Sequence, residues 1–360
     1  MTLNTITHYG SKLWQCAKQA PHYCFQKTPA VYFDIRTDVF MRYADLLVEF
    51  FCLCDWRVFV RRRDGWLKST DPYSTLWLDE PNIRLTSTRP FWRMLSFHEG
   101  VEGASGSIPL SPDYFTESPS PHSFRIPMTM HPLLYHSGLW NAPLDACNLR
   151  SGVFFAGNFD ESEYCNSLLN NLFGCPSRVQ MLDGVRQNLS GLCQYPRTEK
   201  ELEQCQGGNH IIYVDRKYFS VPQEKIRCVL SKFAFFLAHP GVVMPLCHNV
   251  VEALSAGCIP ILHEGYARAL HPGLSRGHNC VTFTDLPDLY VKLRDVLTWK
   301  HQKIAEMHKN VNVLYEEAFT PVGVVRVLHE RRNELKYLYL QAEQYSVERF
   351  RLERERSRNI

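Results

Sequence analysis

Apolar residues in this chain fall into short runs separated by stretches of helical period. The run Ala30–Ile35, the amphipathic stretch Tyr43–Cys54 and the run Arg57–Val60 read in turn as strand, helix and strand. Thr75–Leu78 and Ile83–Leu85 are further short apolar runs that continue a sheet. Glu99–Pro121, rich in Gly, Ser and Pro, reads as a long surface loop. The pattern breaks between Trp140 and Gly152, where NAPLDACNLRS marks a domain boundary.

The second half alternates more regularly. Val153–Ala156, Ile211–Val214, Ala234–Leu237, Ile259–Leu262 and Val281–Phe283 read as strands, and Ser177–Asn188, Gln223–Leu230 and Pro245–Ala256 as the helices between them. Strands that alternate with helices in this way predict a parallel sheet covered on both faces. From Leu286 the chain is helical through Leu289–Leu297 and Gln302–Ala318, and Thr320-Pro321 breaks it before Val324–Arg332. Asn333–Ile360 reads as a charged helix that either packs back across a domain or uses Arg349, Arg351, Arg354, Arg356 and Arg358 for peripheral contact with an anionic membrane. The interspersed Glu348, Glu353 and Glu355 weigh against the membrane. The expected fold class is therefore α/β, two Rossmann-like doubly wound domains with a helical C-terminal extension, divided as 1–145, 146–332 and 333–360.

Composition narrows the class. A chain of 360 residues, 45% hydrophobic and 12% aromatic, is globular and long enough for two cores. A formal charge of +3 implies no overall field for nucleic acid, so no nucleic-acid partner is expected. The 13 cysteines are scattered without paired spacing, as befits buried thiols in a reducing compartment. The opening MTLNTITHYGSKLWQCAKQAPHYCF contains no apolar core of signal-peptide or anchor length, so a cytoplasmic location is expected.

The most informative stretch is Ser231–Leu262, SKFAFFLAHPGVVMPLCHNVVEALSAGCIPIL. A strand, Phe233–Leu237, ends at Ala238-His239-Pro240-Gly241, where Pro and Gly force the chain out of the sheet. Pro245 suits a first helical turn and Gly257 the left-handed position after the last. His248, Glu252 and Ser255 share one helix face, opposite the stripe Cys247, Val250, Val251 and Leu254. Loops at the carboxyl ends of parallel strands line the ligand crevice, and helix amino termini offer free N–H groups to phosphate. A diphosphate near Gly241–His248 is the expected occupant, with Glu252 accepting from ribose hydroxyls. A solvated helix-face carboxylate is the plain alternative.

Here the residues resemble the exostosin-like and wider two-domain (GT-B) glycosyltransferases, whose donor domain carries a similar element; VVEALSAGCIPIL at Val250–Leu262 bears the likeness. A looser similarity in the order of elements spans Gly152 to Asp288. The resemblance implies a nucleotide-sugar bound in a cleft between domains, the glutamate near the ribose, and transfer to a glycan or glycoconjugate acceptor. The chain departs from the family in having His248-Asn249 where many members have an arginine. Neutralisation of the diphosphate then falls to candidates among Arg216, Lys217, Lys225, Arg227 and Lys232. Met244 occupies the position eight before Glu252, so the paired-glutamate signature of one large retaining group is absent. No Asp-x-Asp occurs, which favours a metal-independent reaction needing no cofactor beyond the nucleotide-sugar co-substrate.

The remaining candidates follow from position. His239 at the strand end is read as catalytic, donating to a phosphate or sugar hydroxyl, and His248 and Asn249 with Gly241 as part of the donor site. Asn158, after FFAG, faces the same crevice, and Gly157 allows close backbone approach. A general base for the acceptor should come from the first half: Asp34 first, Asp38 beside it, then Asp79 and Glu80, with His131 and His136 as further choices. The absence of Gly-x-Gly-x-x-Gly after a strand and of a P-loop argues against a dinucleotide oxidoreductase and a P-loop phosphotransferase. A sugar-nucleotide epimerase or a non-catalytic binding subunit of the same fold are the rival readings.

Overall fold

The computed structural model describes residues 28–62, 73, 76–90, 94–100, 106–144, 150–164 and 167–358. The amino-terminal reading above therefore lies outside the described residues, as does the side chain of Asp79. The strands are β1 (Ala30–Ile35), β2 (Arg57–Arg62), β3 (Ile83–Leu85), β4 (Leu95–Glu99), β5 (Ile108–Ser111), β6 (Ser123–Arg125), β7 (Ser151–Gly157), β8 (Cys193–Gln194), β9 (Ile211–Asp215), β10 (Phe233–Leu237), β11 (Ile259–His263), β12 (Val281–Phe283) and β13 (Tyr337–Tyr339). They form two sheets, β3-β2-β1-β4-β5-β13-β6 and β12-β11-β10-β7-β9-β8, in which every recorded pair is parallel. The expected α/β class with two parallel sheets is the class observed.

The chain splits into two compact units, Met1–Ile126 with Thr320–Ile360, and Pro127–Phe319. These limits differ from the expected boundaries in two places. Residues from Pro127 belong to the second unit, because Leu139 and Ala142 give their carbonyls to Arg227 there. The helix Pro321–Glu330 belongs to the first, where His329 meets the Trp56 ring edge-on at 5.2 Å.

The first unit is built on β1 and the helix Met41–Leu53, whose Tyr43, Leu46, Leu47, Phe50 and Phe51 are buried. Phe51 packs edge-on against Phe33 at 5.7 Å and Trp56 at 5.1 Å. The Thr75–Leu78 run, expected as a strand, is a 3-10 turn over Leu76–Asp79. There the Trp77 indole donates to Asp45 at 3.0 Å, which pins the turn onto the helix. The expected long loop contains β5, and the expected terminal helix yields β13, which fits between β5 and β6. The helix that follows, Gln344–Arg358, packs back on its own unit: Val347 and Phe350 are buried, Arg349 pairs with Asp113, and Arg351 with Glu348 and Glu355. No helix among the described residues is long and apolar enough to cross a membrane.

In the second unit Phe154 and Phe233 stack at 4.7 Å across β7 and β10. Successive strands step to one side of β7 as far as β9, and β10 then starts the other side. The switch point of the sheet therefore lies between β7 and β10, and ligands of such sheets bind beyond the carboxyl ends of the strands there. The equivalent point in the first unit lies between β1 and β4.

Candidate functional site

At the β7/β10 switch point, β7 ends in Gly157-Asn158 and β10 in Ala238-His239-Pro240-Gly241. Both turns are tied by Arg178, which opens the helix Arg178–Asn188 behind a Ser177/Gln180 capping box. Its guanidinium donates to the Pro240 carbonyl at 3.0 and 3.2 Å and to the Asn158 carbonyl at 2.9 Å. It also lies 3.9 Å from the centre of the Tyr164 ring. Arg178 is 3% exposed and has no carboxylate partner among the described residues. Gly157 is needed here, since a Cβ would meet Nη1 of Arg178 at 3.1 Å and the Phe155 ring at 2.8 Å. Sequence reading missed Arg178; the capping box marks its helix start, but nothing in the sequence shows that two distant carbonyls converge on it.

The Pro/Gly turn is longer than expected. The Gly241 amide donates to the Pro245 carbonyl at 3.2 Å, and a Cβ on Gly241 would lie 2.7 Å from the Met244 carbonyl oxygen. Pro245 thus closes a turn, and the helix begins at His248 and runs to Ser255. Gly257 follows it with φ +75°, the left-handed position expected of it. The Cys247 amide at the helix mouth donates to the Tyr266 hydroxyl at 3.0 Å.

Glu252 is 2% exposed on this helix. Its Oε1 accepts from Gln223 Nε2 at 2.8 Å, His248 Nδ1 at 2.9 Å and the His131 amide at 3.3 Å. Oε2 has no partner among the described residues. Burial alone would raise the carboxyl, but the charge and hydrogen bond of His248 and the His131 amide outweigh it, so the group titrates below its ordinary range. His131 also caps the helix Pro132–His136 and meets His248 edge-on at 5.5 Å. The site thus holds an ionised carboxylate with one oxygen satisfied and one open. Gln223 escaped the sequence reading because it opens a 3-10 turn, Gln223–Lys225, where a continuous helix was expected. The Asn249 Oδ1, one residue after His248, is buried without a partner among the described residues.

The other candidates divide sharply. His239, read as catalytic, is 0% exposed. Its Nδ1 lies 3.1 Å from the Leu237 carbonyl and its Nε2 3.4 Å from the Tyr213 hydroxyl, with the Phe155 ring at 4.1 Å. Burial, reinforced by nearby Arg178, pushes it down to about 3, so it is a neutral core side chain. Arg227 is also structural: it donates to Ser255 and to the Leu139 and Ala142 carbonyls. Lys232 immediately precedes β10 and so lies at the amino edge of the sheet, away from the crevice edge. Lys225 is an exposed partner of Glu199 at 2.6 Å. Arg216 and Lys217 follow β9 at the carboxyl edge, both exposed, and the Arg216 side chain makes no hydrogen bond or ion pair among the described residues. Asn158 forms an Asx turn, accepting from the Asp160 amide at 3.1 Å and donating to Glu163 at 2.9 Å.

In the first unit Asp34, the last residue but one of β1, is bound by Arg36 at 2.7 Å, with Arg61 at 3.8 Å. Asp38 is exposed in the following turn. Glu99, at the end of β4, was not singled out by sequence; its Oε2 takes the Arg36 amide at 2.6 Å and the Thr37 amide as well. It ties the β1 turn to β4, as Arg178 ties β7 to β10.

No family model matches the sequence, and a search of curated proteins finds no match. Among solved structures, the chain is similar to a sucrose-phosphate synthase from Thermosynechococcus elongatus at 10% identity and TM-score 0.41, over 84% of this chain and 99% of that one. It is similar to HepE of Anabaena in complex with UDP-glucose at 11% identity and TM-score 0.41, over 85% and 100%. It is also similar to WaaG, a glycosyltransferase involved in lipopolysaccharide biosynthesis, at 10% identity and TM-score 0.36, over 82% and 99%. At such identities no residue's role is carried across.

Proposed function

We propose that the chain is a metal-independent glycosyltransferase that moves a sugar from a nucleotide-sugar to a glycan or glycoconjugate, in the cytoplasm, and belongs to the exostosin-like branch of the two-domain transferases. The observation that carries this reading is Glu252: a buried carboxylate, held ionised, with Oε1 occupied by three donors and Oε2 open, on the helix that follows the switch-point turn. An open carboxylate oxygen is an acceptor for ribose hydroxyls. The VVEALSAGCIPIL resemblance supports the same assignment. Arg216 and Lys217 are the cations at the carboxyl edge that would neutralise a diphosphate, together with the N–H groups at the head of the helix His248–Ser255. Arg178 acts as a positioning residue for the two turns. Asp34 is the proposed acceptor base, oriented by its ion pairs with Arg36 and Arg61.

The test is turnover with UDP-, GDP- and CMP-sugars. A transferase releases nucleotide slowly by hydrolysis and faster with the right acceptor; an epimerase changes the sugar without release, and binding without either outcome marks a non-catalytic subunit. Glu252→Ala is expected to weaken donor binding about 10- to 100-fold with the fold intact, by loss of charge-assisted hydrogen bonds. Unchanged affinity in calorimetry would sink the Glu252 assignment, and full transfer activity in Asp34→Asn would move the base elsewhere.

A further inference from the structure

The first unit contains a cavity of about 410 Å³ where the turn after β5 meets the helix Gln344–Arg358. Asp113 and Arg349 close one wall as a two-bond ion pair, Nε donating at 2.6 Å and Nη2 at 3.1 Å. Glu353 accepts from the Thr116 hydroxyl at 2.8 Å and the Glu117 amide at 3.3 Å, both through Oε1, which leaves Oε2 unpartnered among the described residues. The Arg356 guanidinium and the Ser118 hydroxyl likewise have no partner there. The half-exposed Leu352 adds apolar surface to the same cavity, and the buried Tyr339, at the carboxyl end of β13, lines it.

The chemistry of this lining selects its ligand. Two acids and two guanidiniums balance, so a phosphate that met Arg356 would also meet Asp113 and Glu353, and a cation would meet both arginines. The open groups comprise one pure acceptor, one pure donor and one hydroxyl that does both. A neutral polyhydroxylated ligand with an apolar ring face satisfies all three and covers Leu352. The volume falls within the range of small-molecule sites, about 300–1,000 Å³. We propose that this cavity binds a neutral saccharide unit, a mono- or disaccharide, at a site in a different unit from Glu252. The proposal stands on this cavity alone and does not require the transferase reading.

The full chain is titrated with maltose, cellobiose, lactose and diacetylchitobiose by saturation-transfer NMR and calorimetry. At least one is expected to bind with a Kd of about a millimolar, as suits a small open site. UDP should leave that binding unchanged, as should Glu252→Ala. Ser357→Trp, which fills the cavity mouth from an exposed helix position, should abolish it, and Arg356→Ala should weaken it about fivefold through lost hydrogen bonds. Circular dichroism is the check that both variants keep the fold. The proposal is overturned if none of the four sugars binds, if binding survives Ser357→Trp, if UDP displaces the sugar, or if inorganic phosphate proves to be the ligand lost in Arg356→Ala.

Discussion

Two carboxyl groups in this protein are equally buried, each 2% exposed, and differ in charge. Glu252 lies among donors that hold it ionised. Glu49, on the helix Met41–Leu53, has an unpartnered Oε1, and burial together with the charge of Glu80 pushes it up to about 8. A carboxyl raised in the folded state keeps its proton after the unfolded chain has released its own. Its contribution is therefore present at acid pH and lost as pH rises from about 4.5 through about 8. Glu49→Gln is expected to stabilise the protein by about 1–3 kcal/mol at pH 8, and much less at pH 4, in urea unfolding. His239 runs the other way: depressed from 6.5 to about 3, it binds a proton only on unfolding. Stability should fall by about 2 kcal/mol between pH 7 and pH 5 from this group alone, and His239→Phe should flatten that slope. The helix that carries Glu252 was legible in sequence because its motif is local. The burial of His239 was not, since it depends on Phe155, Phe159 and Tyr213 from two other strands and a turn.

Among the elements, the ones that shape the candidate site are the turns rather than the strands. Arg178 holds the β7 and β10 turns through carbonyl oxygens, so replacing it by methionine should free both. Hydrogen exchange over 158–164 and 238–247 should rise, and affinity for the proposed nucleotide-sugar donor should drop about tenfold as the turns lose their arrangement. Arg178→Lys should not rescue either, because an ammonium cannot reach both carbonyls and stack on Tyr164 at once. Most strands were readable as apolar runs, and β1, β3 and β12 have the expected limits. β5 was hidden because Pro109 interrupts it within a Gly/Ser/Pro-rich stretch, although Pro109 pairs opposite His98 inside the sheet. Pro245, which closes the turn, reads in sequence as a helix start because Pro suits both positions.

For the molecule as a whole, sequence order conceals one fact: the first unit is discontinuous. Three residues, Tyr337–Tyr339, are too few to carry a period, and the charged residues around them suggest a helix. Yet β13 has β5 on one side and β6 on the other. Deleting residues 333–360 should therefore unfold or loosen the first unit while the second keeps its protection, a difference that hydrogen exchange resolves unit by unit.

That insertion also sets an order of events at the ribosome. Translation finishes the second unit at Phe319, whereas the strand that joins β5 to β6 is made only after it. Until then the nascent first unit carries open strand edges of the kind that invite pairing with other chains. The domain begun first is completed last, and a chaperone that shields it during elongation would act on β5 and β6.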